Sequence, residues 1–166
     1  MNFVTLRLTN TSAEFSVRLA DLGDSHVVWT WRNDEVSRKM SRNQSLIPWR
    51  VHSEWFLQTL TNPNRIVFIG MIQKKAVSAV RYDRLDTLST CLEISISVAP
   101  EWRGRGLGQR SIVTSIPLVK DYFHLANCAI ANIRSQNYAS LNAFMNCGFR
   151  EVNQIEPDFR RFEISI

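Results

Sequence analysis

Six residues, Arg103-Gly104-Arg105-Gly106-Leu107-Gly108, have the composition of an anion-binding turn. They follow an alternating apolar segment ending at Ala99-Pro100 and Glu101-Trp102, and they precede a stretch with helical spacing. A helix that starts from such a turn leaves its first amides without carbonyl partners, at the positive end of the helix dipole. Glycines let a phosphate approach the backbone closely, and Arg103 and Arg105 can add charge-assisted hydrogen bonds. Two common phosphate motifs do not fit. A dinucleotide fingerprint starting at Gly104 needs a glycine where the chain has Gln109, and a P-loop needs a lysine after its glycines.

Other reactive types are sparse. The three cysteines, Cys91, Cys128 and Cys147, are odd in number and widely spaced, so they read as free buried thiols. No CxxC or HxxxH spacing suggests a metal site. No Ser/His or Cys/His pairing suggests a covalent intermediate.

The elements that must position the turn can be read in order. Residues 1–10 alternate like an edge strand or an arm. Residues 14–20 read as the first firm strand, and 21–33 as a helix with Asp21 or Asp24 as its N-cap. Residues 34–47 are polar, a loop or a short helix. Pro48 suits the first turn of a helix running to about Leu60. Strands over 66–71 and 76–82 follow. In Cys91–Pro100, Leu92, Ile94, Ile96 and Val98 share one face while Glu93, Ser95 and Ser97 share the other. A helix from about Gly108 to Tyr122 is kinked or shortened by Pro117. A strand over 128–133, a helix over 137–146 ended by Gly148, and strands over 149–152 and 159–166 complete a mixed α/β layer protein. No linker, repeat or composition shift divides the chain, so 1–166 reads as one domain.

The segment from Ile96 to Gly108 resembles the cofactor motif of the GCN5-related N-acetyltransferase (GNAT) superfamily, [QR]-x-x-G-x-[GA]. About 30 residues later, Asn137-Tyr138-Ala-Ser through Phe144 to Gly148-Phe149 resembles its second hallmark helix. The resemblance implies the acyl-CoA acyltransferase fold, a mixed and mostly antiparallel sheet flanked by about four helices. It also implies acetyl-CoA as cosubstrate, with no metal, lying in a V-shaped opening between the 91–98 and 128–133 strands. Backbone groups of Ile96, Ser97 and Val98 would hold the pantetheine arm, and residues Arg103, Gly104, Arg105, Gly106, Leu107 and Gly108 the pyrophosphate. Asn137 and Phe144 would border the cysteamine end. The implied reaction is direct attack by an acceptor amine. Glu93 is then the candidate base, through a water; the competing reading is a carboxylate satisfied by a neighbouring Arg or Ser. The chain departs from many relatives in having Phe144 where they have a tyrosine acid, and Asn132 where ribosomal-protein acetyltransferases place a Glu. Tyr138 is the fallback acid.

The run Trp29-Thr30-Trp31-Arg32-Asn33 and the later Ile47–Phe56 stretch resemble a subgroup that acetylates nucleotide-linked deoxysugars, including pseudaminic-acid pathway enzymes. The resemblance implies an acceptor site with Trp31 stacking, Arg32 on a diphosphate, and Asn33 and His52 facing the same cleft. Trp29, Trp49 and Trp55 read as core. The runner-up acceptor is a protein N-terminus; a non-catalytic acyl-CoA-binding domain is the alternative from another class.

Composition narrows the rest. Hydrophobic residues at 45% and charged residues at 21% match an ordinary globular protein, and no apolar run is long enough to span a bilayer. The N-terminus lacks a signal-peptide pattern, so the cytoplasm is the expected compartment. The net charge of +5 is scattered rather than striped, which argues for small anionic partners over nucleic acid. The expected partners are acetyl-CoA and a small-molecule amine, with neither nucleic acid nor membrane; a homodimer stays open.

Overall fold

The computed structural model describes residues 4–5, 14–86 and 89–166. Of the expected arm over 1–10, only Val4–Thr5 falls within them, as a two-residue strand β1; the rest lies outside the described residues. β2 (Phe15–Leu19) is followed by a 3-10 turn that Asp21 caps, accepting from the Gly23 amide at 2.8 Å. Then come α1 (Ser25–Asn33), α2 (Glu35–Met40) and α3 (Trp49–Thr61). Strands β3 (Arg65–Ile72), β4 (Lys75–Arg84) and β5 (Cys91–Val98) lead to α4 (Leu107–Val119). β6 (Cys128–Arg134), α5 (Tyr138–Asn146), β7 (Arg150–Glu156) and β8 (Phe159–Ser165) close the chain.

The strands form one sheet in the order β1-β2-β3-β4-β5-β6-β8-β7, antiparallel except where β5 meets β6. That one parallel pair requires a crossover, and α4 provides it. Alternation along the strands sorts side chains to two layers. One face packs Phe68, Val80, Tyr82, Leu92 and Ile94 against Ile112 and Val119 of α4. Hydroxyl pairs stitch that layer, Ser78 to Ser111 at 2.7 Å and Tyr82 to Ser115 at 2.8 Å, and so satisfy buried polar groups. The opposite face packs Val67, Ile69, Ala79 and Ala99 against Trp31 of α1. Pro117 stays inside α4, and the helix ends two residues beyond it.

Cys91 and Cys128 stand opposite each other in the β5–β6 register, with Cα atoms 4.6 Å apart, so their side chains meet at the start of the parallel pair; Cys147 lies apart from them, half-buried. They are 37 residues apart in sequence, and only the crossover brings the two strand starts together.

Candidate active site

The parallel pairing of β5 with β6 covers only Cys91↔Cys128, Leu92↔Ala129 and Glu93↔Ile130. Beyond Glu93 the strands part. β5 continues on β4 as far as Val98, and β6 continues on β8. The flank of β5 that faces β6 therefore offers unpaired backbone groups over Ile94–Val98, at the C-terminal end of parallel strands, where ligands bind in open α/β sheets. Ile96, Ser97 and Val98 lie in that stretch, half-buried.

The glycine turn stands at the mouth of this opening. Gly104 and Gly106 have φ of +74° and +70°, and a Cβ on either would meet nothing within 4 Å. The turn is thus left-handed backbone lining open space. Gly106 is the N-cap of α4, and no side chain caps that helix. Bare amides, a helix N-terminus and exposed glycines fit a diphosphate. Leu107 is buried, and Gly108 packs near Val98 and Ile96. Arg105 lies exposed with its guanidinium 4.9 Å over the Trp102 ring.

Arg103 differs from expectation. Its Nη2 donates to Asp34 Oδ2 at 2.7 Å and Ser37 Oγ at 3.0 Å, and its Nε donates to the Val98 carbonyl at 3.3 Å. The side chain fastens the turn to the start of α2 instead of pointing to an anion. Burial opposes ionisation of Asp34, but the bonds from Arg103 and Ser37 outweigh it and hold the carboxyl below its ordinary range. Sequence reasoning misses Asp34, although an Asp just before a helix is a readable N-cap.

On the sheet face that carries Glu93, the acceptor-side residues divide. Trp31 is 3% exposed in the core beneath α1, so its ring is not available for stacking. Asn33 clasps Ile47 twice, donating to its carbonyl at 2.9 Å and accepting from its amide at 2.8 Å. His52 is 3% exposed, and its ring bonds the Ser25 carbonyl through Nε2 at 2.9 Å. These three expected substrate contacts are structural here: core packing covers Trp31, the Ile47 main chain takes the Asn33 amide, and the Ser25 carbonyl takes the His52 ring. Arg32 is different. Its Nη2 donates to the Asn43 carbonyl at 2.7 Å, while Nη1 is buried with no partner among the described residues. Burial first, then the charges of Arg38 and Arg81, push its proton affinity down, and no carboxylate bonds it. Arg134 of β6 holds the same loop through the Ser41 carbonyl at 3.1 Å and also keeps a buried, unpartnered Nε.

Glu93 lies at the last paired position, where the opening begins. Its Oε1 accepts from Asn132 Nδ2 at 3.0 Å, and Asn132 Oδ1 accepts from Arg161 Nε at 2.9 Å. Asn137 caps α5, accepting from the Ser140 amide at 3.2 Å. Tyr138 is 71% exposed at the first position of α5, whereas Phe144 is buried edge-on against Phe149 with no proton to give. Cys147 is no nucleophile, since burial pushes its thiol up to about 11. Among the described residues no group of three His, Cys, Asp or Glu side chains could hold a metal, and no helix is long and apolar enough to cross a membrane. An open cavity of about 410 Å³ lies elsewhere, between the ends of α3 and α4, where Arg65 in its wall is already paired with Asp83.

A strand pair that parts beside a glycine turn and a helix N-terminus has the backbone donors that an acyl-CoA would need, and comparison with known proteins gives the family. The family model "Acetyltransferase (GNAT) family" matches residues 26–149, well over half of the chain. The protein belongs to that family and is an acetyl-CoA-dependent acyltransferase. No curated protein matches it. Among solved structures it is similar to spermidine N-acetyltransferase from Vibrio cholerae in complex with CoA and spermine, with TM-score 0.81, 15% identity, and coverage of 91% of this chain and 95% of that one. It is also similar to ribosomal-protein-alanine N-acetyltransferase from Brucella melitensis (0.74, 20%, 90% and 99%). A third is YncA from Salmonella typhimurium with acetyl-CoA (0.71, 16%, 91% and 93%). At these identities the likeness is one of fold.

Proposed function

We propose that the protein transfers the acetyl group of acetyl-CoA to the primary amine of a small anionic acceptor, a nucleotide-linked amino sugar, in the cytoplasm. The observation that carries the acceptor reading is Arg32, a half-buried guanidinium with an unpartnered N–H, no carboxylate, and Arg38 and Arg81 as neighbouring charges. Asp83 already pairs Arg81, so a diphosphate would supply the anion that Arg32 and Arg38 lack. The same cluster opposes a polycationic acceptor.

In this reading the bound cosubstrate supplies an acetyl thioester. Amides of residues 104–108 hold its diphosphate, with Arg105 adding charge at the rim. Backbone groups of Ile96–Val98 hold the pantetheine arm and polarise the carbonyl, and Asn137 and Phe144 border its end. Glu93 takes a proton from the acceptor ammonium, directly or through a water, freeing the lone pair that attacks the thioester carbon. The C–N bond forms, the nitrogen sheds its second proton to water, and the C–S bond breaks. Tyr138, exposed to water, gives the departing sulfur a proton that water then replaces.

The test is a product screen by mass spectrometry, with acetyl-CoA and panels of UDP-amino sugars, polyamines and peptides. An acetylated UDP-amino sugar is expected, and Arg32→Ala should raise the acceptor KM about 10-fold or more while calorimetric acetyl-CoA binding stays unchanged. Acetylation of peptide N-termini alone would overturn the acceptor assignment. Acetyl-CoA binding with no CoA release from any amine would make the chain a binding domain instead.

A further inference from the structure

We infer that Asn132 and Arg161 are positioning residues that present Glu93 for proton abstraction, an inference that rests on Glu93 being the base. The three side chains come from β5, β6 and β8, which the sheet order makes neighbours. Arg161 sits directly across from Asn132 in the antiparallel β6–β8 register. A guanidinium only donates, so the amide oxygen of Asn132 must face Arg161, as the 2.9 Å bond records. That bond settles the orientation of the whole amide. Its nitrogen is turned to the other side, where it donates to Glu93 Oε1 at 3.0 Å.

Position gives this bond its meaning. Glu93 is the last β5 residue paired with β6, opposite Ile130, and Asn132 lies two residues further along β6 on the same face. The Asn132–Glu93 bond therefore spans the strands where their backbones separate and takes over from the ladder at the narrow end of the opening. The donor is a neutral N–H, so the bond fixes one carboxylate oxygen without bringing a second charge beside it. Glu93 Oε1 is fixed, and Oε2 makes no hydrogen bond among the described residues. Oε2 is the atom left to receive the ammonium proton as the nitrogen lone pair forms the C–N bond. Asn132 and Arg161 touch neither substrate in this arrangement; they act through Glu93.

A double-mutant cycle tests this with acetyl-CoA and the best amine from a screen, whatever its class. Glu93→Gln should lower kcat about 100-fold or more. Asn132→Ala should lower kcat about 10-fold to 100-fold, with calorimetric acetyl-CoA affinity unchanged. The double variant should be no slower than Glu93→Gln alone, because a side chain that acts only through Glu93 has nothing left to act on. Losses that multiply, or full turnover by Asn132→Ala, would overturn the positioning role. Glu93→Gln with full turnover would remove the base itself, a result visible before any Asn132 variant is made. Arg161→Met, taken through the same cycle, carries the test if melting shows that Asn132→Ala does not fold.

Discussion

His52 shows at the scale of one residue how a histidine at helical spacing from tryptophans becomes a stability element. Its Nε2 meets a carbonyl, so it carries the proton of a neutral ring. Burial lowers its affinity for a second proton and the charge of Arg32 adds to that, while the bond to Ser25 works against it. In the unfolded chain the ring protonates near about 6.5. The unfolded state therefore binds the extra proton first, so the stability His52 contributes is complete above that pH and is lost as pH falls below it. Urea midpoints measured from pH 7.5 to pH 5 should decline, and His52→Gln should flatten the decline. A variant with an unchanged slope would refute the assignment. Trp31 and Asn33 carry the same lesson. Their types read as ligand contacts from the sequence, but the core beneath α1 and the main chain of Ile47 claim them first.

At the scale of elements, the glycine turn separates conformational need from spatial need. Gly104 and Gly106 have positive φ, so alanine at either should cost about 1 kcal/mol of stability and more in acetyl-CoA affinity, since its Cβ projects into the open space. Gly108 has ordinary helical backbone, and its Cβ would sit 3.7 Å from the nearest side-chain atom of Val98. Gly108→Ala should keep the melting temperature of the free protein. Melting curves and calorimetric titrations of the three variants decide both points. Periodicity made most of these elements legible: the alternation from Leu92 to Val98 and the apolar spacing around Phe56 are strong signals. The short α2 was legible only as polar sequence, because six residues hold too little periodicity to separate helix from loop. What joins elements was not legible. Nothing in the sequence links Arg103 to Asp34 or Arg161 to Asn132, since those bonds depend on which strands and helices become neighbours.

For the whole molecule, the Cys91–Cys128 contact ties together residues 37 apart in sequence, at the point where the α4 crossover returns. A mild oxidant added to the folded protein should close the pair to a disulfide and leave Cys147 as the one titratable thiol after denaturation. The closed form should gain up to about 4 kcal/mol in unfolding free energy, the loop-entropy value for that length. Three thiols after oxidation would show that the pair does not bond. The tie from Arg103 to Asp34 and Ser37 reaches further still. It rivets the glycine turn to the start of α2, the helix that carries Arg38 beside Arg32. If the turn holds acetyl-CoA and those arginines hold the acceptor, an acceptor that nudges α2 would change how tightly acetyl-CoA is held, and reciprocity would oblige acetyl-CoA to change acceptor affinity by the same factor. A single guanidinium would then make each substrate an effector of the other.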